Sequence, residues 1–269
     1  MPAASAILPG RFSPRFARLF TWYTRRLLAR RFHAVRLLAG DAAAFSTLAG
    51  RAAPGIVVMN HASWWDPLVA VLLSSRFLPG RSACAPMDVA QLRRFGFFRR
   101  LGLFGIDPDD PQGASALVEY VVDRYRQAPT ETLWITPQGR FADVREPIRI
   151  RAGAALVAAR TPGVEVVAVA VEYAFWQDAR PEIFLSARPV HADLEGITDV
   201  RRAAVAWQRA MQEALSGAAA RLARSVIDRR EEAFSTLAGG GTTRVNPIYD
   251  LWRRLRGAHG AIETRESRR

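Results

Sequence analysis

Five short apolar runs, alternating with longer helix-forming stretches, constrain this chain more than any other feature. The runs are "GIVVMN" (55–60), "RSACAP" (81–86), "ETLWITP" (131–137), "VEVVAVAVEY" (164–173) and "EIFLSARPV" (182–190). Between and after them come "DPLVAVLLSSRF" (66–77), "ASALVEYVVDRYRQ" (114–127), "RIRAGAALVAART" (149–161) and a long stretch at 198–230. Runs of this length without strict polar alternation suit strands buried on both faces. Strands that alternate with helices imply an α/β fold, with a mostly parallel sheet and flanking helices.

The chain has 269 residues, of which 49% are hydrophobic, enough for a substantial core in one large domain or two small ones. Net charge is +13, and all 38 basic residues are arginine. With lysine absent throughout, the number of arginines says little about phosphate recognition, and their positions say more. The one cysteine, Cys84, forms no internal disulfide, which fits a reducing compartment. The N-terminus has no apolar core following a basic start, so no secretory signal is expected. No run of about 18 apolar residues occurs, so no spanning helix is expected.

Charge is unevenly placed. Residues 1–40 hold eight arginines and no acid. Within "FARLFTWYTRRLLARRF", Phe16, Leu19, Phe20, Tyr23 and Leu27 share an arc of about 100° on a helical wheel, opposite Arg15, Arg18, Arg25 and Arg26. An aromatic and leucine face backed by arginines predicts an amphipathic helix lying on an anionic membrane surface. Residues 1–44 are therefore expected to form a membrane-docking segment, 45–235 the main domain, and 236–269 a basic helix ("VNPIYDLWRRLR", 245–256) with a flexible tail. "AFSTLAG" occurs twice, at 44–50 and 233–239, too isolated a match for a repeat architecture.

The stretch "NHASWWDP" (60–67) follows the first apolar run directly. His61 and Asp66 are about 140° apart on a regular helix and would not meet there. Where a strand end turns into a helix, the carboxylate reaches the imidazole, fixes its tautomer and leaves the other nitrogen free to take a proton. A histidine–aspartate pair without a protein nucleophile suits attack by a substrate hydroxyl. The sequence has no G-x-S-x-G elbow, no P-loop glycine pattern and no Cys/His metal cluster. Trp64 and Trp65 are expected to pack or to face a membrane rather than to catalyse.

Asn60, His61, Ser63 and Asp66 match N-H-x-S-x-x-D, and on these residues the chain resembles the glycerolipid acyltransferases of the 1-acylglycerol-3-phosphate acyltransferase type. In that family the histidine deprotonates an acceptor hydroxyl, which attacks an acyl thioester, while the aspartate orients the histidine. The resemblance runs from about residue 45 to 190 in motif order. A glycine-aromatic stretch is matched by Gly102, Phe104, Ile106 and Asp107, with Pro108 where relatives carry a phosphate-binding arginine. Asp109 and Asp110 follow, and Arg99 and Arg100 stand upstream as substitutes. The family's F-P-E-G-T-R reads Thr136-Pro137-Gln138-Gly139-Arg140-Phe141, an amide replacing the acid and the arginine one place early. An apolar strand at 164–171 carries Glu165 and Ala168 where prolines are common in relatives.

The resemblance implies a peripheral enzyme at the cytoplasmic face of the cell membrane. His61 and Asp66 would be catalytic, and Asn60, Ser63, Arg99, Arg100, Gln138, Gly139 and Arg140 would bind substrate. No metal or bound cofactor is expected; acyl-CoA or acyl carrier protein serves as co-substrate, and a glycerolipid or other lipid hydroxyl is the acceptor, with lysophosphatidate the family default. Pro108 and Gln138 point to a less charged acceptor, such as a glycolipid, an isoprenoid alcohol or an amino-lipid. The competing class is a non-catalytic basic membrane-binding protein. Nucleic acid is not an expected partner, since no nucleic-acid motif is present.

Overall fold

The computed structural model describes residues 7–50, 52–107, 109–176 and 178–240. Pro108 and the expected basic helix at 245–256 with its tail lie outside the described residues. In chain order the elements are α1 (Pro14–Arg31), β1 (Ala34–Leu38), α2 (Ser46–Gly50), β2 (Gly55–Met59), α3 (Asp66–Phe77), β3 (Ala83–Asp88), α4 (Val89–Arg94), β4 (Leu103–Ile106), α5 (Gly113–Gln127), β5 (Thr132–Ile135), α6 (Gly153–Ala159), β6 (Glu165–Ala174), β7 (Glu182–Val190), α7 (Val200–Ile227) and β8 (Phe234–Gly239). The five strands and the four helices that alternate with them in the sequence are present, α6 being shorter than the expected 149–161, and α1 is the expected N-terminal amphipathic helix.

The strands form one eight-stranded sheet in the order β4-β3-β5-β2-β6-β7-β1-β8. From β4 to β6 neighbours are parallel; β7 then runs antiparallel to β6, β1 parallel to β7, and β8 antiparallel to β1. The α/β class and the mostly parallel sheet are as expected. The sheet also draws strands from outside the 45–235 segment: β1 comes from the N-terminal segment, and β8 runs past residue 235.

Strands β1, β2, β5 and β6 bury residues on both faces, which explains the lack of polar alternation in their sequences. Along β2, Ile56 and Val58 pack under α5, α6 and α7, with Val118 and Val121 of α5, Ala155 of α6 and Met211 of α7. Val57 and Met59 point the other way, toward Leu28 of α1 and Val69 and Leu73 of α3. Successive side chains on opposite faces is the strand period of two.

Helix α1 starts with Ser13 accepting from the Phe16 amide at 3.4 Å and Pro14 in the first turn, and ends on Arg30 and Arg31, which complement its dipole. It is anchored by buried Thr24 and Leu28 and by rings of Phe16 and Phe20 against Phe97. Truncating a fully buried leucine such as Leu28 costs about 2–5 kcal/mol. The expected apolar arc is therefore divided. Phe16, Phe20 and Leu27 are half-buried against the domain, whereas Leu19, Trp22 and Tyr23 are 62%, 57% and 49% exposed.

Residues before α1 cover the sheet edge, with Leu8 exchanging backbone hydrogen bonds with Gly105 of β4. Gly102, with φ of 93°, turns the chain into β4, and a Cβ there would lie 1.8 Å from the Ala83 carbonyl oxygen. The two copies of "AFSTLAG" fold differently. The first closes a short 3₁₀ helix and forms α2, with Phe45 stacked on Phe77; the second forms β8, paired with β1.

Candidate active site

Strands β2 and β5 are neighbours, and their outgoing connections leave for opposite faces of the sheet, one through α3 and the other through α6. Such a divergence at the carboxyl ends opens a crevice, the usual ligand position in an open α/β sheet. The loops of residues 60–65 and 136–152 form its two sides. They are joined directly: the His61 amide donates to Gln138 Oε1 at 2.8 Å, and the Ala142 amide donates to the His61 carbonyl at 2.8 Å.

His61 stands just beyond the end of β2, and Asp66 is the first residue of α3. Asp66 Oδ2 lies 2.7 Å from His61 Nδ1. The same oxygen accepts from the Ser63 amide at 2.9 Å, and Oδ1 accepts from the Tyr173 hydroxyl at 2.6 Å. The carboxylate is fully buried, with three donors around it. With Nδ1 engaged as a donor, Nε2 is left as the proton acceptor. The Tyr173 phenol is pushed up from its ordinary pKa by burial first and by the Asp66 charge second, so it stays a neutral donor.

Asn60 holds the loop start. Its Oδ1 accepts from the Val171 amide at 2.7 Å and its Nδ2 donates to the Val171 carbonyl at 3.0 Å, continuing the β2–β6 ladder with a side chain. Ser63 Oγ accepts from the Trp65 amide at 3.3 Å and fixes the turn into α3. Gln138 holds the His61 backbone, and Gly139 takes φ of 68° in the facing turn. Asn60, Ser63, Gln138 and Gly139 are thus gathered at the dyad, in contacts that shape the two loops. Arg140 turns outward to pair with Glu146 at 2.5 Å. Arg99 donates to the Pro9 carbonyl at 2.9 Å, and Arg100 lies over the Phe16 ring at 5.8 Å. These two contacts are with the N-terminal segment. Asp107 and Asp110 accept from the backbone of their own turns, at the end of edge strand β4.

Tyr173 and Phe141 escaped the sequence reading. Tyr173 belongs to β6 and reaches Asp66 only because β6 lies beside β2. Phe141 places its ring 4.0 Å from the His61 ring, and Trp64, 75% exposed, packs on Phe141 at 5.1 Å. A polar aromatic at the end of an apolar strand was the one available signal for Tyr173. A second histidine–carboxylate contact, His33 to Asp178 at 3.0 Å, is buried three strands from β2.

Two cavities meet at Gln138. One, of about 560 Å³, is basic, bordered by Arg140, Arg149 and Arg151. The other, of about 540 Å³, runs between β6 and α7 past Asn60, Ala170, Val171, Ala219, Leu222 and Ala223. Both fall in the size range of ligand sites. Among the described residues no group of histidine, cysteine and carboxylate side chains is arranged to hold a metal ion.

A buried carboxylate thus holds a histidine at the carboxyl end of a mostly parallel sheet, an arrangement able to serve general-base chemistry. Residues 44–172 match the family model described as Acyltransferase, and over this segment the chain is similar to that family. The match spans β2 through most of β6 and contains His61, Asp66 and Gln138. No curated protein matches the chain. Acyl transfer to a lipid-like acceptor is the activity class that follows.

Proposed function

We propose that the protein transfers a fatty acyl group from a thioester, acyl-CoA or acyl carrier protein, to the hydroxyl of a lipid acceptor. The observation that carries this reading is the His61 Nδ1 to Asp66 Oδ2 contact of 2.7 Å, with Nε2 left free. Nε2 takes the proton of the acceptor hydroxyl as its oxygen attacks the thioester carbonyl carbon. The tetrahedral intermediate then collapses, the carbon–sulfur bond breaks, and the proton passes from His61 to the leaving thiolate. Asp66 holds the tautomer and balances the transient imidazolium. No metal or bound cofactor enters these steps.

The groove between β6 and α7, lined by Ala170, Ala219, Leu222 and Ala223 together with Asp143, Arg145 and Glu172, offers a partly apolar seat for an alkyl chain. Attachment at an anionic membrane surface fits the exposed Leu19, Trp22 and Tyr23 of α1, set among Arg15, Arg18, Arg26 and Arg30. No helix among the described residues is long and apolar enough to cross a membrane. The lipid acceptor is thereby met at the interface, on the cytoplasmic face of the cell membrane. Incubation with labelled acyl-CoA and a whole-lipid extract tests the reading. A labelled lipid ester with matching thiol release is expected; a purified, folded protein that releases no thiol and labels no lipid contradicts it.

A further inference from the structure

The basic cavity has no part in the steps above. Its wall is the tripeptide Arg149-Ile150-Arg151, between the β5 turn and α6. Ile150 points inward and is buried in the main core. Two glutamines of α7 pin its backbone as a neighbouring strand would. Gln212 Oε1 accepts from the Ile150 amide at 3.1 Å, and Gln208 Nε2 donates to the Ile150 carbonyl at 2.9 Å. The Gln212 amide also donates to the Ile148 carbonyl, and the Arg151 amide donates to the Pro137 carbonyl at 2.7 Å. With Ile150 inward, the residues on either side of an extended stretch point outward.

Arg149 and Arg151 are both exposed, and among the described residues no carboxylate pairs with either side chain. Arg140, the third arginine of the cavity, is neutralised by Glu146. The Arg151 guanidinium lies across Gly139, where a Cβ would come within 2.8 Å of it. That places one unpaired, fork-shaped cation against the turn whose next residue back, Gln138, holds the His61 backbone. Two guanidinium groups on a pinned backbone, facing one cavity, suit the geometry of a phosphate group.

We propose that Arg149 and Arg151 form a seat for a phosphate ester carried by one of the two substrates. The identity of the ligand rests on the acyl-transfer reading; the seat itself does not. A phosphate beside Gln138 comes either from the nucleotide arm of coenzyme A or from the headgroup of a phosphorylated acceptor.

The test is equilibrium binding by calorimetry to the full chain, with coenzyme A and glycerol 3-phosphate as separate probes. Wild-type protein is expected to bind one probe, with affinity at least tenfold weaker in Arg149→Gln/Arg151→Gln and partly restored in Arg149→Lys/Arg151→Lys. Arg209→Gln, which removes an exposed arginine on α7, serves as a charge control and is expected to bind as wild type. Loss with coenzyme A assigns the seat to the donor, and loss with glycerol 3-phosphate assigns it to the acceptor. Failure of wild type to bind either probe, unchanged binding in the glutamine variant, or equal loss in Arg209→Gln overturns the proposal. No turnover is needed, so a protein that binds through these arginines but transfers no acyl group fails the enzymatic reading and keeps the seat.

Discussion

His61 and Asp66 are only five residues apart, so the dyad could be read from one short stretch. What the stretch does not contain is the third side chain on the carboxylate. Tyr173 donates to Asp66 Oδ1 across the β2–β6 boundary. Tyr173→Phe removes that donor from a buried charge, and hydrogen bonds to charged groups contribute about 1.5–3 kcal/mol. Part of that loss is expected to appear as a looser dyad, with kcat lowered by about tenfold and KM little changed, since the phenol holds Asp66 and not the substrate. A steady-state thiol-release assay checks this; a change confined to KM would place Tyr173 in substrate binding instead. The arginines were harder to read, because sequence position did not tell their direction. Motif order places Arg99 and Arg100 beside the site, whereas in the fold they turn to Pro9 and Phe16. Arg149 and Arg151, at the start of the helix expected over 149–161, instead stand in an extended stretch before α6 and border the site's basic cavity.

Elements with an apolar run were legible, even β5 with four residues, and short elements with a diluted run were not. Strands β2, β5, β6 and β7 and helices α3, α5 and α7 carry enough apolar residues in phase to declare themselves. Strand β4 has four residues with a glycine among them, and β1 and β8 stand where basic or small polar residues dilute the pattern. The repeated heptapeptide shows why: identical residues form α2 where Phe45 stacks on Phe77, and β8 where Phe234 meets Trp176 and Phe184. Tertiary partners decide the outcome when local preference is weak. Helix α1 divides its apolar side between the domain and solvent, and that division makes a prediction. Leu19→Ser/Trp22→Ser should weaken sedimentation with anionic vesicles and leave the melting temperature near wild type, because both side chains are exposed. High salt should weaken binding of the intact protein by screening the arginines. Vesicle binding as strong in the variant as in wild type would assign α1 to packing alone.

A pH effect belongs to β6. Glu172 borders the groove between β6 and α7, and burial holds its carboxyl above the ordinary glutamate range. A raised folded pKa gives stability that is complete below the unfolded value and is lost as pH rises through the folded one. Glu172→Gln should therefore raise the melting temperature at pH 8 and match wild type near pH 4. Equal shifts at both pH values would point to packing, not charge.

At the scale of the whole molecule, one sheet places the loops after β2 and β5 face to face and buries the carboxylate that orients His61. Helices α5, α6 and α7 pack on one face of that sheet, and α1 and α3 on the other. The central claim is that His61 is the base in an acyl transfer. The most direct measurement is thiol release from acyl-CoA, with a lipid-alcohol acceptor identified from the extract, by wild type, His61→Ala and Asp66→Asn. General-base catalysis typically supplies 10²–10⁴-fold, so His61→Ala is expected to lose at least about 100-fold in kcat while keeping its melting temperature. Asp66→Asn, which favours the wrong imidazole tautomer, is expected to lose as much or less. Wild-type turnover in a folded His61→Ala protein would contradict the account.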